Sequence, residues 1–384
     1  MKKILYIGSL FFLFSHWCAA QEGLYHIGGL RLGNNAQVGI HTNWINDSPL
    51  EDGFGTVGFY GDQAISISGA FPPALFGVEV FNSAGIDLNI DIIVENSLSF
   101  IDGNLRTERT DQSISAIFES PSFVLGSTDQ SKVDGQVRFS GKSLFTAPTG
   151  SGARLRSVEF NFGSTPSSGS CTYFFENPSF PTSLDEGFNT ASIAPSLDAV
   201  SPLEFWLIGS PNTATLTLNW DRNSLLSTLT DNPEAITLVG WNTLLRQWVP
   251  VPVQSRVGGL DEGFLTTETL APDQYAAYTF GILNQPDELL TLDNYFLSPN
   301  GDGVNDRLVI EELQQSPNNR VVIFNRAGLK VFEFDNYTDQ FDGNANAGSS
   351  FYGTDLGLPE GVYYYIARLD DLQLNFQGFL FLDR

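Results

Sequence analysis

The sequence predicts an all-β protein, and three observations support this. Apolar and polar residues alternate in short runs, as in residues 86–92, which is the pattern of a strand with one buried face. Gly, Asn, Asp, Pro and Ser, the residues favoured in tight turns, separate these runs. Helical periodicity is nearly absent along the chain.

The first region after the amino terminus, residues 21–195, contains many short strands at close intervals. Alternating runs occupy residues 64–68, 78–81, 86–92, 98–101 and 137–139. Strands this short and evenly spaced either stack as the coils of a β-solenoid or fold as a sandwich. No clean repeat length is visible, so both architectures stay open, with the solenoid favoured.

The second region, residues 196–285, has longer apolar runs. Examples are residues 203–208, 214–220 and 275–280. Their number and spacing predict a small immunoglobulin-like β-sandwich. A polar linker at residues 284–288 separates it from a last segment, residues 286–384.

Length and charge limit the classes of partner. A chain of 384 residues is long enough for two or three domains. It carries 19 basic and 44 acidic residues, a net charge of -25, which repels nucleic acid and anionic lipid surfaces. We therefore expect no nucleic-acid partner, and no apolar run is long enough to predict a transmembrane segment in the mature chain.

The amino terminus has the three parts of a signal peptide. Lys2 and Lys3 precede a short apolar stretch at residues 4–14, and small residues lead up to Ala20. Residues 1–20 are therefore predicted to be removed, leaving a mature chain that begins at Gln21. Acylation of Cys18 is the weaker alternative, because bulky residues precede that cysteine.

Five motifs near the carboxyl terminus carry a resemblance to a known family. They are YFLSPNGDGVND at residues 295–306, VVIFNRAGLKVF at 321–332, FDG at 341–343, LPEGVYYY at 358–365 and FQGFLFLDR at 376–384. The segment resembles the gliding motility-associated C-terminal domain, the type B sorting domain of the type IX secretion system. Ala327 and Phe341 depart from the family, which usually has an aromatic residue and a tryptophan there.

The resemblance implies a second immunoglobulin-like β-sandwich at residues 286–384. It also implies recognition by the type IX translocon and by surface attachment machinery, with the protein at the outer cell surface or in the medium. The residues themselves predict a central strand at 362–367, whose neighbour is the terminal run at 374–382. A terminal core strand suits an export signal that is displayed only after folding is complete.

One oxygen-rich loop in this segment is a candidate calcium site. Its possible ligands are Asn300, Asp302, Asn305 and Asp306, because closely spaced carboxylate and amide oxygens suit a hard cation. An EF-hand-like loop would, however, need an acidic residue at Ser298 and a glutamate at Val309. The alternative is a pair of tight turns held by Asn and Asp side chains.

The sequence contains no recognisable catalytic constellation, and we predict that the protein is not an enzyme. The mature chain keeps His26 and His41, and it has neither a zinc-peptidase motif nor a nucleophile elbow. Cys171 is expected to be a small buried residue. Acidic residues are abundant enough for a glycosidase pair, but no pair stands out.

The tryptophans leave a second function open. Trp44, Trp206, Trp220, Trp241 and Trp248 either stack on sugars at a surface or fill the cores of sandwiches, and their place beside strand runs favours cores. The leading hypothesis is a structural or adhesive surface protein with a protein or glycan ligand. The alternative is a secreted glycan-binding or glycan-degrading protein with the same sorting domain.

Overall fold

The computed structural model describes residues 23–51, 53–284, 294–311, 313, 316–347, 357–369 and 374–384. The predicted signal peptide and most of the predicted linker lie outside these residues. Within them the chain is built from strands and short 3₁₀ helices, which confirms the all-β prediction. No helix in this part of the chain is long and apolar enough to cross a membrane.

The strands are numbered in chain order. The first fifteen are β1 Gly23–His26, β2 Gln37–Ile40, β3 Asn43–Asn46, β4 Thr56–Gly61, β5 Ile65–Ser68, β6 Ala74–Asn82, β7 Ile86–Leu88, β8 Ile92–Asp102, β9 Leu105–Thr107, β10 Ala116–Glu119, β11 Phe123–Leu125, β12 Val133–Asp134, β13 Gln136–Lys142, β14 Leu144–Ala147 and β15 Thr149–Gly150. The next ten are β16 Val158–Asn161, β17 Ser167–Phe174, β18 Leu197–Val200, β19 Phe205–Gly209, β20 Thr215–Trp220, β21 Ile236–Asn242, β22 Gln247–Pro250, β23 Val253–Gly258, β24 Gly263–Thr267 and β25 Tyr278–Leu283. The last five are β26 Tyr295–Leu297, β27 Asn319–Phe324, β28 Lys330–Asp335, β29 Gly361–Leu369 and β30 Leu374–Leu382. Short 3₁₀ helices lie at Arg222–Ser224, Leu226–Thr228, Pro233–Ala235 and Pro272–Gln274.

The chain divides into two compact units, and the first is a β-solenoid. Its described residues run from 23 to 142 and from 148 to 155. One parallel sheet has the order β1-β3-β5-β7-β9-β12-β15, and a second contains β2-β4-β6-β8-β10-β13. Successive strands alternate between the two sheets, so each coil contributes one strand to each. The solenoid left open by the sequence is therefore the architecture of this region.

Apolar side chains stack in columns inside the solenoid because paired strands are parallel and in register. One column of buried residues runs through the first sheet at Ile65, Ile86, Leu105 and Val133. A column in the second sheet contains Val57, Val78 and Leu98. Each coil thus buries its apolar face against the coils beside it, which is how repeat proteins form a continuous core.

The coils differ in length, which explains why no repeat is visible in the sequence. Gly23 pairs with Asn43, whereas Leu105 pairs with Val133 across a much longer connection. The additional residues of the longer coil lie in loops and in β11, which pairs with β8. The inward residues alone set the register of the strands, so the coils need not all contain the same number of residues.

Two buried lysines bind backbone carbonyls within the solenoid. The Lys132 Nζ atom donates to the carbonyl oxygens of Asp129 and Gly152, both at 2.6 Å. The Lys142 Nζ atom donates to the carbonyl and, at 3.0 Å, to the hydroxyl of Ser122. Burial lowers the pKa of Lys132 and lowers that of Lys142 to about 8. Both lysines therefore fix loops to the coils at a cost in desolvation.

The second unit contains two antiparallel sheets built from residues 143–147 and 156–284. One sheet has the order β17-β19-β25-β21-β22, with β18 beside β25, and the other has the order β14-β16-β20-β24-β23. The sheets pack against each other: Trp220 of one meets Phe280 of the other edge to face, with ring centroids 5.6 Å apart. Strands β14, β16 and β17 belong to these sheets although they precede residue 195. The domain boundaries proposed from the sequence stay predictions.

A buried ion-pair cluster joins the two sheets of this sandwich. The Arg156 Nε atom lies 3.2 Å from Oε2 of Glu204, and the Arg156 Nη2 atom lies 2.5 Å from Oδ1 of Asp221. The Tyr173 hydroxyl donates to the same Glu204 oxygen at 2.5 Å. The Arg156 and Glu204 side chains are 1% and 0% exposed, so this carboxylate is closed to any substrate in solution.

Arg156 and Asp221 favour each other's charged forms. Burial acts to lower the pKa of Arg156, but the charge of Glu204 and the hydrogen bond to Asp221 raise it above its ordinary value. Burial acts to raise the pKa of Asp221, but the hydrogen bond and charge of Arg156 outweigh it, so this pKa lies below its ordinary value.

We expect Arg156→Ala to destabilise the sandwich by about 3–5 kcal/mol, because it leaves Glu204 buried without its cation. Four buried tryptophans of this sandwich report its unfolding by fluorescence in a denaturant titration. The matched control is Arg222→Ala, whose ion pair with Asp261 is exposed and should contribute less than about 1 kcal/mol. Equal effects of the two changes would contradict a structural role for the cluster.

Lys142 should make the stability of the solenoid depend on pH. Its folded pKa of about 8 lies below the value of about 10.4 expected when unfolded. Between these values the unfolded chain binds more protons, so the free energy of unfolding rises with pH. Between pH values of about 8 and 9.5, the denaturant midpoint of the unaltered chain should rise, and that of Lys142→Met should rise less. Circular dichroism measures both midpoints. The control is Lys330→Met, at an exposed position, whose denaturant midpoint should differ from that of the unaltered chain by the same amount at every pH. The same constant difference for Lys142→Met would refute the role of Lys142.

Candidate functional site

The carboxyl-terminal strand lies next to the central strand of a five-stranded sheet. The order is β26-β30-β29-β27-β28. β30 pairs antiparallel with β29 along its whole length, from Leu374 beside Leu369 to Leu382 beside Gly361, and parallel with β26. The predicted pairing of the terminal run with the central strand is confirmed. The sheet is therefore complete only when β30 is in place.

One face of this sheet covers a hydrophobic core. Alternate residues of β29, Tyr363, Tyr365 and Ala367, are buried there, because side chains of a strand point to opposite faces in turn. Leu380 and Leu382 of β30 join them. Loop residues complete the core from the other side, namely Leu308, Ile310, Leu313, Tyr337, Phe341 and Leu358.

The positions that depart from the family pattern have local roles. Phe341 is fully buried and its ring lies 4.9 Å from that of Phe332, so an aromatic residue still fills this part of the core. The Ala327 amide donates to Oδ1 of Asn325 at 3.0 Å in the turn between β27 and β28. Gly328 follows with a φ of 76°, a conformation that favours glycine.

The candidate calcium loop lies on the surface beside β26. Side-chain oxygens of three of its proposed ligands accept hydrogen bonds from within the loop. Asn300 Oδ1 accepts from the Asp302 amide at 2.9 Å, and Asp302 Oδ1 accepts from the Val304 amide at 2.8 Å. The two Asp306 carboxylate oxygens accept from the amides of Gly301 and Gly303, both at 2.8 Å.

These hydrogen bonds stabilise the charged form of Asp306. Bonds from the amides of Gly301 and then Gly303 lower the pKa of this exposed carboxyl group. Asn305, the fourth proposed ligand, has a φ of 54° and its carbonyl accepts from the Ser298 amide. The arrangement is that of tight turns held by side chains, the alternative that the sequence left open. Calcium binding stays a prediction, and no group of three or more His, Cys, Asp or Glu in the described part of the chain is placed to hold a metal.

The opposite face of the sheet presents aromatic side chains to solvent. Phe296, Tyr364 and Phe379 are exposed large hydrophobic residues on β26, β29 and β30, and Phe296 stacks on Phe381 with ring centroids 6.1 Å apart. Sequence analysis missed this surface. The sequence feature that could have revealed it is the run of aromatic residues at both odd and even positions of β29 and β30. Neighbouring residues of a strand point to opposite faces, so some of these aromatic side chains lie on each face.

The tryptophans lie inside the fold. Trp44, Trp206, Trp220 and Trp248 are among the largest fully buried side chains, and Trp241 is also buried. Trp241 and Trp248 pack against Phe188 and against each other. These indoles therefore fill cores, as the sequence favoured, and present no open ring face for stacking on a sugar.

The remaining candidate residues are dispersed. His41 lies beside Tyr60, with ring centroids 5.5 Å apart, and His26 Nδ1 lies 2.5 Å from Oδ1 of Asn46 in the solenoid. Cys171 is buried in β17, and burial raises the pKa of its thiol above its ordinary range. The expected burial of this cysteine is therefore confirmed.

Comparison with known proteins identifies the carboxyl-terminal segment. Residues 290–382 match the family model CHU_C Type IX secretion signal domain, which confirms the resemblance seen in the sequence. The match includes all five strands of the aromatic-faced sheet and no residue of the solenoid or sandwich. A comparison with curated proteins and one with solved structures find no match to the chain. The chain thus carries an export signal of the type IX secretion system, which implies contact with that machinery.

The hydrogen bonds of the loop predict the effect of Asp306→Ala. Without its carboxylate the amides of Gly301 and Gly303 lose their acceptor, so their hydrogen exchange should accelerate in the presence of a calcium chelator. Mass spectrometry of peptides covering residues 298–306 measures this, with Asp335→Ala on an exposed strand end as the control. Slow exchange that depends on added calcium, and that Asn300→Ala with Asp302→Ala abolishes, would instead establish the calcium site.

Proposed function

We propose that this chain is a non-enzymatic structural or adhesive protein of the outer cell surface. The single observation that supports its route of export is the match of residues 290–382 to a type IX secretion signal domain. The solenoid and the sandwich are then the exported cargo. A continuous core built from stacked coils suits a part that holds a shape or presents a surface.

The buried residues of the solenoid and the sandwich support a structural role over a catalytic one. The most deeply buried carboxylate, Glu204, is held by Arg156 and Tyr173 and closed to solvent. Cys171 and the tryptophans are buried in cores. Binding of a glycan or protein ligand would therefore use the outer faces of the strands and their loops.

A glycan array distinguishes the proposed role from the alternative, a glycan-binding or glycan-degrading protein. The exported chain is applied to a glycan array, alone and with Trp241→Ala or Trp248→Ala. We expect no glycan-specific binding, and we expect the tryptophan changes to lower stability by about 3–5 kcal/mol, as for other buried aromatics. Specific binding that these changes abolish without a loss of stability would favour the alternative.

Export should depend on the folded carboxyl-terminal sheet. We expect Leu380→Asp to trap the protein in the periplasm, because it places a charge in the core beneath β30 and opens the sheet. The matched control is Gln377→Glu, which adds the same charge on the exposed face of the same strand. Protease accessibility on intact cells with the type IX machinery measures export.

A fusion tests whether the segment is sufficient. A signal peptide, a fluorescent reporter and residues 290–384 in one chain should reach the surface or the medium, and should stay inside in a translocon-deficient strain. Export of Leu380→Asp equal to that of the unaltered chain, or export of the fusion without the translocon, would overturn the proposed route.

A further inference from the structure

The loop that follows β26 contains the one place in the sequence where a glycine directly follows an asparagine, Asn300–Gly301. Both residues are exposed to solvent. Gly301 has a φ of 82°, and no atom lies within 4 Å of the position that a Cβ would occupy there. Because glycine has no side chain, it lets a neighbouring group come close to its backbone.

The side chain of Asn300 is folded over the peptide bond that follows it. Its Oδ1 atom accepts a hydrogen bond from the Asp302 amide at 2.9 Å. This bond spans Gly301, so the Asn300 carboxamide lies alongside the peptide nitrogen of that residue. A donor at this distance also stabilises the negative charge that a carbonyl oxygen gains when a nucleophile adds to its carbon. The Nδ2 atom of the same carboxamide donates to Oδ2 of Asp302 at 3.1 Å.

A carboxylate is bound to the peptide nitrogen beside this carboxamide. The Gly301 amide donates to Oδ1 of Asp306 at 2.8 Å. The other oxygen of Asp306 accepts from the Gly303 amide, also at 2.8 Å, so the orientation of the carboxylate is fixed. A general base must lie within hydrogen-bond reach of the proton that it takes. Asp306 meets this requirement for the N–H proton of Gly301.

We propose that the folded loop converts Asn300 into aspartate or isoaspartate, with Gly301 as the nucleophile and Asp306 as the base. The Gly301 nitrogen bonds to Cγ of Asn300 while its proton moves to the Asp306 carboxylate. The Asp302 amide binds the resulting oxyanion. The bond between Cγ and Nδ2 then breaks, and Nδ2 leaves as ammonia with the proton that Asp306 took up. The product is a cyclic imide.

Water opens the cyclic imide at either of its two carbonyl carbons. Opening at Cγ leaves aspartate in an unchanged main chain. Opening at the backbone carbonyl carbon leaves isoaspartate, whose main chain passes through the former side chain. Each path consumes one water, and nothing is oxidised or reduced. A neutral carboxamide thus becomes a carboxylate beside Asp302 and Asp306, and the loop gains a negative charge after it has folded.

Folding should make this reaction faster than it is in an unfolded chain. An Asn–Gly pair can form the same imide in any flexible peptide, but there the base and the oxyanion donor are not in place. In the folded loop both groups already lie at the reacting atoms, so the entropic cost of bringing them there is avoided. The proposal is independent of the structural or adhesive role, because it concerns a covalent change within the sorting domain and not a ligand.

The experiment follows residue 300 over time in the exported full-length chain, at neutral pH and with a calcium chelator. Mass spectrometry of peptides containing this residue measures the loss of ammonia and the gain of water. We expect conversion at least about tenfold faster in the folded chain than in the same chain unfolded in urea, and at least about tenfold slower in folded Asp306→Asn than in the unaltered chain. The matched control is Asp335→Asn at an exposed strand end, which should react like the unaltered chain.

Two comparisons separate catalysis by the loop from other causes. If Asp306→Asn only loosened the loop, the variant would react no more slowly than the unfolded chain, and a folded chain that reacts no faster than the unfolded one overturns the proposal. Isoaspartate among the products establishes the cyclic imide, because direct hydrolysis of the side chain gives aspartate alone. An asparagine that persists at position 300, a product without isoaspartate, or an equal rate for Asp306→Asn and the unaltered chain overturns the proposal as well.

Discussion

The parallel register of the solenoid strands is the constraint on which the first unit depends. A strand displaced by one residue would turn its apolar side chains out of the interior, so buried columns such as Ile65 above Ile86 fix every coil against the next. Loops of different lengths are tolerated because they lie outside the columns. Among the described strands, β1 and β2 of the first coil pair on one side only, and their inward residues Leu24 and Val38 are exposed.

The antiparallel sandwich is held together by a different balance of forces. Its aromatic core packs the two sheets, and the Arg156 cluster crosses between them, with Arg156 and Glu204 buried and Asp221 partly exposed. A buried ion pair often contributes no more net stability than apolar residues of the same volume, but the fold is strongly destabilised when one partner is lost.

The sorting domain joins a buried core to an exposed aromatic face on one sheet. Its strand β30 lies between β26 and β29, so both faces of the sheet depend on β30. The aromatic face with Phe296, Tyr364 and Phe379 differs from an ordinary polar surface.

The sequence by itself determined the all-β class, the sorting domain and the place of the terminal run beside its neighbouring strand. These follow from period-two alternation and from motifs in which nearby residues act together. Only the tertiary structure decided between solenoid and sandwich, brought Arg156 to Glu204, and assigned the carboxylate of Asp306 to backbone amides. It also showed which aromatics of β29 and β30 are exposed. The physical reason is that pairing partners lie far apart along the chain at unequal distances, so burial and contact depend on register that local pattern does not encode.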